Sequence, residues 1–182
     1  MHFATKGSKK MKAVRSITIG EIAATALGPI WVAVTERGLA AVAYLDSAEE
    51  MAQYVGELGF SGISKEAEKT SEARRQISEY LAGGRRQFEL AVDWSGMAPF
   101  QRQALQIVFS IPYGSVLTYG EIAHHLGKPG AARAVGRANA TNPMPLVIPC
   151  HRVIGSDGKL HGYGGRGGLS TKAWLLQMEQ AL

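Results

Sequence analysis

The chain has a single cysteine, Cys150, and no uninterrupted apolar stretch of membrane-spanning length among its 182 residues. The first scarcity excludes an internal disulfide framework and any Cys-rich zinc site, and a lone thiol suits a reducing cytoplasm. The second excludes a transmembrane helix, which needs about 18 or more consecutive apolar residues. No membrane partner is therefore expected. Residues 1–12 are basic and polar with no apolar h-region, so they read as a disordered tail and not as a secretory signal. No set of side chains has metal-ligand spacing, so His124 and His125 read as exposed helix residues and neither metal nor cofactor is implied. Internal repeats and low-complexity tracts are also missing.

Acidic residues run short in one half only. Residues 101–182 hold three acids, Glu121, Asp157 and Glu179, against eight Lys or Arg, a net charge of +5. Residues 1–15 carry five basic residues and no acid, so residues 16–100 net −5. A basic second half beside an acidic middle is the pattern of a face that meets a polyanion, although charge alone also fits ordinary solubilisation. With 46% hydrophobic and 19% charged residues, the chain can bury a real core in one or two small domains.

In the first half, residues 30–34 (IWVAV) and 39–45 (LAAVAYL) predict strands with a turn at Arg37-Gly38. Residues 47–58 and 66–81 predict helices, the second stopping at Gly83-Gly84, and residues 88–92 suggest a further strand. Residues 93–99 (DWSGMAP) read as a linker. The expected organisation is a tail at 1–12, a small α/β domain at 13–94 and a mainly helical domain at 95–182. Trp94 and Trp174 are expected in the core.

The second half opens with a helical pattern at residues 99–111. Two short ones follow, 119–126 (YGEIAHHL) and 130–140 (GAARAVGRANA), around Gly127-Lys128-Pro129. Paired short helices about a tight turn suggest a helix-turn-helix. The last of them carries small residues, Ala131, Ala132, Ala134, Gly136 and Ala138, with Arg133 and Arg137 on one face. That composition suits close entry into a narrow groove, and equally a tightly packed core helix.

Residues 145–153 (PLVIPCHRV) hold the most informative chemistry: an apolar, strand-like run ending at Pro149, then Cys150 and His151. A buried cysteine is commonly inert, but the positive charge of Arg152 and its surroundings would favour the nucleophilic thiolate. On an extended strand Cys150 and His151 point to opposite faces, so a relay through water or a re-aiming turn is expected. A carboxylate must orient the imidazole, and Glu179 is the least accounted for of the three acids nearby in sequence.

At these residues the sequence resembles the O6-alkylguanine-DNA alkyltransferases, whose active-site run is Pro149-Cys150-His151-Arg152-Val153 here. The likeness extends through TYGEIA (118–123), GAARAVGRA (130–138), NPMPLVIPCHRVI (142–154), HGYGG (161–165) and KAWLLQMEQ (172–180), and more loosely through residues 25–44. The resemblance implies a ribonuclease-H-like α/β domain followed by a winged helix-turn-helix domain. It implies stoichiometric, irreversible repair: Cys150 takes the alkyl group from O6-alkylguanine, with O4-alkylthymine a further candidate, after the base is flipped out of duplex DNA. The implied relay is Glu179, His151, a water and Cys150. Tyr119 would donate to guanine N3, and Asn142 would brace the turn that carries the thiol.

Pro145, Val153, Tyr163, Gly164 and Gly165 would form the pocket, with carbonyls of Cys150 and Val153 receiving the exocyclic amine. Arg133 would fill the space the base leaves. Ala131, Ala132, Gly136, Arg137, Arg102 and Tyr119 complete the implied DNA-binding set. A monomer is expected, with cooperative binding along DNA an option. The glycine-rich stretch after Tyr163 is longer than the family pattern, and no second cysteine is present to accept a phosphotriester methyl group. The alternatives are a lesion-binding relative that flips the base without repairing it, a plain helix-turn-helix regulator, and a Cys-His hydrolase.

Overall fold

A computed structural model describes residues 15–181. The expected tail at residues 1–12 lies outside them. The first half is a four-stranded sheet, β1 (Ser16–Ile22), β2 (Ile30–Thr35), β3 (Gly38–Ala43) and β4 (Gly62–Ser64), in the order β3-β2-β1-β4. The first three strands are antiparallel and β4 pairs parallel to β1. Alternation in β2 explains the layering: Trp31 and Ala33 join Ile17, Ile19, Met51, Val55 and Phe60 on one face, which α1 (Ala48–Glu57) covers. Ile30 and Val32 point the other way, to Ala73, Ile77 and Tyr80 of α2 (Ala67–Leu81). That second core is continuous with Leu105, Val108, Ile122, Val135 and Cys150, so one apolar body spans both halves of the chain.

Local chemistry sets most boundaries. Ser47 caps α1 by accepting from the Glu50 N–H at 3.2 Å, while Glu50 accepts from the Asp46 N–H at 3.0 Å. The hairpin turn falls at Glu36-Arg37 and not at Arg37-Gly38, because Gly38 already starts β3 with φ 127°. Residues 88–92 do not form the expected strand. Only a single bridge, Leu39 to Val92, joins them to the sheet edge, and Val92 stands between the two bonds that Leu39 makes, Leu39 N–H to Ala91 O and Asp93 N–H to Leu39 O. Strands β1 and β4 were not anticipated.

Gly38 is required twice over: its φ is closed to L-residues, and a Cβ there would collide with the Ala91 carbonyl. Gly38→Ala is expected to cost about 2–3 kcal/mol of stability. Gly83→Ala, at φ 77° with open space around it, should cost only about 1 kcal/mol. Urea midpoints of the two variants measure the difference.

The second half packs α3 (Pro99–Phe109), α4 (Tyr119–His125), α5 (Ala132–Ala140) and α6 (Leu169–Met178), with a short parallel pair, β5 (Leu117–Thr118) and β6 (Val153–Ile154). Thr118 and Glu121 close a capping box on α4, which fixes where Tyr119 starts the helix. The turn between α4 and α5 uses Gly127 at φ 68° and a 3-10 turn at Pro129–Ala131. His124 and His125 are exposed, and Trp94 and Trp174 are partly buried against the core, as expected. No helix of the described residues is long and apolar enough to cross a membrane.

Candidate active site

The segment before Cys150 is not the expected strand. Residues 143–148 wind through turns with Leu146 at φ 73°, and Cys150–Arg152 is a 3-10 turn. Prolines at 143, 145 and 149 lack the N–H groups a ladder needs, which is the reason. Asn142 holds this winding in shape. Its amide donates to the Ile148 carbonyl at 2.8 Å, and its oxygen accepts from the Met144 N–H at 3.0 Å. The same turn is tied to the sheet by the Val42 N–H, which donates to Pro143 O at 2.8 Å. A turn therefore carries Cys150 and His151, and no direct hydrogen bond joins their side chains.

Cys150 is 8% exposed and stands where two cavities meet. One, of about 290 Å³, is lined by Tyr119, Gly136, Asn139, Ala140, Gly162, Tyr163 and Gly164 and faces helix α5. The other, of about 430 Å³, adds Asn142, Pro145, Gly165 and, from the first half, Val42, Tyr44 and Tyr54. A larger cavity of about 870 Å³ lies between β1, β4 and α2, away from the thiol.

The electrostatic expectation for the thiol is overturned. Burial pushes Cys150 up from its ordinary value, and the hydrogen bond from Asn142 and the charge of Lys172 offset this only in part. The resting group is the neutral thiol. Arg152 does little for it because its guanidinium is committed elsewhere. Arg152 Nε and Nη2 donate to the two Glu179 oxygens, each at 2.8 Å, and Nη1 donates to Ile111 O at 2.6 Å.

Glu179, although close to the C-terminal end of the sequence, is buried, only 2% exposed. His151 Nε2 donates to Glu179 Oε1 at 3.0 Å, and the Tyr80 hydroxyl donates to the same oxygen at 2.5 Å, its own oxygen lying 3.2 Å from Nε2. These donors hold the Glu179 carboxyl at about 2 against burial, which opposes them. Burial pushes His151 down, so the imidazole rests neutral. With Nε2 bearing the proton toward Glu179, Nδ1 is the free lone pair, and it is buried without a protein partner.

Sequence reasoning missed Tyr80, Tyr44 and Lys172. Lys172 is fully buried and donates from Nζ to Val153 O at 2.6 Å and His161 O at 2.8 Å, burial pushing it down to about 8. The Val153 carbonyl thus already serves a lysine, and Val153 itself lies in the core. The Tyr119 hydroxyl donates to His161 O at 3.1 Å. Tyr163 shares a 2.8 Å hydroxyl hydrogen bond with Tyr44, and a side chain at Gly165 would collide with both rings. Arg166 pairs with Asp46, so the glycine-rich stretch is fastened to the first half. On the outer face Arg133 and Arg137 of α5 and Arg102 of α3 are exposed, while Ala131, Ala132 and Gly136 are half-buried. None of the three arginines lines either cavity at the thiol.

The geometry defines a helical, net-basic half in which the chain's single thiol lies buried where two cavities meet, beside a buried His–Glu–Arg network. Two family models match, 6-O-methylguanine DNA methyltransferase, ribonuclease-like domain, over residues 20–94 and 6-O-methylguanine DNA methyltransferase, DNA binding domain, over residues 99–181. A methylated-DNA–protein-cysteine methyltransferase of Shigella flexneri is 41% identical over 161 residues, covering 86% of this chain and 92% of its own. Among solved structures, the O6-methylguanine methyltransferase of Mycobacterium tuberculosis superposes with a TM-score of 0.75 at 35% identity, covering 91% of this chain and 93% of its own. The same organism's protein solved in complex with DNA gives 0.74 at 34% identity over the same shares. The chain belongs to the 6-O-methylguanine DNA methyltransferase family. Direct alkyl transfer in DNA repair is its activity, and lesion binding without transfer is not favoured.

Proposed function

We propose that the chain, as a monomer in the cytoplasm, takes the alkyl group from O6-alkylguanine in duplex DNA onto Cys150 Sγ, with O4-alkylthymine as a second substrate. The reading rests on one observation: the single thiol sits at the junction of the two cavities, with the neutral His151 and ionised Glu179 behind it. The flipped guanine occupies the cavity facing α5, and the O6 substituent points toward Cys150 and Pro145. The 13–94 part supplies the rear wall and the 95–182 part the DNA face and the thiol.

The neutral thiol gives its proton, through a bridging water, to His151 Nδ1. Glu179 does not take a proton at its low pKa; it fixes the tautomer and steadies the imidazolium. Sulfur then attacks the alkyl carbon as the carbon–O6 bond breaks, and the guanine leaves with a proton donated to N3 by Tyr119, whose phenolate regains a proton through solvent as the His151 imidazolium gives one up, so both groups return to neutral. That step requires the Tyr119 hydroxyl to turn from His161 O, which the substrate's arrival rewards with a better acceptor. The product thioether has no acidic proton and is a poor leaving group, so each molecule acts once. Because damage arises in any sequence, entry of the small-residue face of α5 into the minor groove, which carries little code, fits the task.

The test is intact-protein mass after incubation with a duplex carrying O6-methylguanine. One added methylene per molecule, mapped to Cys150, saturating at one equivalent and missing from Cys150→Ala, is the expected result. Tight lesion binding with no mass gain would sink the proposal.

A further inference from the structure

The carboxylate that orients His151 is itself gripped from the other half of the chain. Tyr80, the last buried residue of α2, is fully buried, and its hydroxyl is 2.5 Å from Glu179 Oε1 and 3.2 Å from His151 Nε2. Its ring is fixed by Phe88 at a centroid distance of 5.2 Å and by an edge contact to Tyr113 at 6.4 Å. The core would accept a phenylalanine equally well, so packing does not explain a hydroxyl here. We propose that Tyr80 is a positioning residue of the alkyl-transfer site: its hydroxyl shares Glu179 Oε1 with His151, fixing the carboxylate and moderating its pull on the imidazole so that Nδ1 faces the thiol as a neutral acceptor.

The geometry supports this in two ways. Oε1 receives Tyr80, His151 and one Arg152 nitrogen, whereas Oε2 receives Arg152 Nε at 2.8 Å and the Gly114 N–H at 3.5 Å. The oxygen facing the histidine is therefore the more heavily shared one, and removing one donor leaves more of its charge for Nε2–H. Burial already disfavours charge on His151, so the carboxylate's pull sets how readily it takes the thiol proton. The groups that face this pair are Arg152, Lys172 and Glu179 from the second half, with the phenols of Tyr113 and Tyr163; all remain in place when only the Tyr80 hydroxyl is lost.

The proposal rests on Cys150 being the alkyl acceptor, so the experiment starts from the wild-type chain. Single-turnover methyl transfer from an O6-methylguanine duplex is followed against pH for the wild type and Tyr80→Phe, together with duplex affinity and thermal midpoint. The expected result is a rate about tenfold lower with affinity unchanged, the size of one hydrogen bond to a charged group. The acidic limb of the pH profile should shift to higher pH, because His151 becomes more basic. A purely packing role would leave that limb where it is. If Tyr80→Phe does not fold, 3-fluorotyrosine at position 80, a stronger donor, should move the limb to lower pH. An unmoved profile in the folded variant overturns the role of Tyr80, whereas no transfer by the wild type overturns the function reading instead.

Discussion

Glu179→Gln is expected to destabilise the protein by about 3–5 kcal/mol and to slow alkyl transfer about 100-fold. The stability loss comes from Arg152, which is 6% exposed and would keep its charge with no anion to meet it. The rate loss comes from His151, because an amide can turn its NH₂ toward Nε2 and no longer selects the tautomer with Nδ1 free. A pH series sharpens the test. Glu179 is held at about 2 in the fold against an ordinary 4.5, so its contribution is fully present above about 4.5 and is lost as pH falls through about 2. Some 3 kcal/mol is at stake over that window at about 1.4 kcal/mol per unit. Urea unfolding between pH 2 and 7 should show that acid-dependent loss in the wild type and a clearly smaller one in Glu179→Gln.

Much of the frame was legible because its signals are local. Ser47 with Glu50, and Thr118 with Glu121, announce helix starts, and the short apolar, β-branched and aromatic run 30–34, followed by the turn signal Arg37-Gly38, reads as a strand whichever partner it finds. Strand β4 has three residues and makes sense only beside β1, so no local signal marks it. Residues 88–92 have the composition of a strand but meet the sheet edge only through the bridge from Leu39 to Val92, which the missing Cβ of Gly38 leaves room for. In the site, the motif's adjacent Cys150 and His151 share one short turn, and Asn142 bonds the segment that leads into it. Charge counted along the sequence misjudged the thiol, since Arg152 spends its donors on Glu179 and Ile111, and burial decides the rest. Tyr80 had a signal that went unused: Ala73, Ile77 and Tyr80 recur at helical spacing on the buried face of α2, and a phenol on such a face must find a partner. Lys172 had a similar one, as the single charged residue of α6, one position from the apolar run Ala173–Leu176.

Arg133→Ala should separate base flipping from chemistry. The residue is exposed on the second position of α5 and touches neither cavity, so the fold should change by less than about 0.5 kcal/mol. Extruding a base costs a few kcal/mol of stacking and pairing, and a side chain in the vacated space recovers part of that. If Arg133 fills that space, losing about 2–3 kcal/mol of such recovery slows transfer from duplex DNA by roughly 100-fold. Transfer from a free O6-substituted guanine, which has no stack to leave, should keep the wild-type rate. Arg102→Ala and Arg137→Ala supply the contrast. If these exposed side chains meet phosphates, each weakens duplex binding alike for damaged and undamaged DNA and lowers the salt dependence by about one counterion. Equal losses on duplex and free base in Arg133→Ala would place that arginine in the chemistry of the thiol, against the geometry, which holds it on the outer face of the helix.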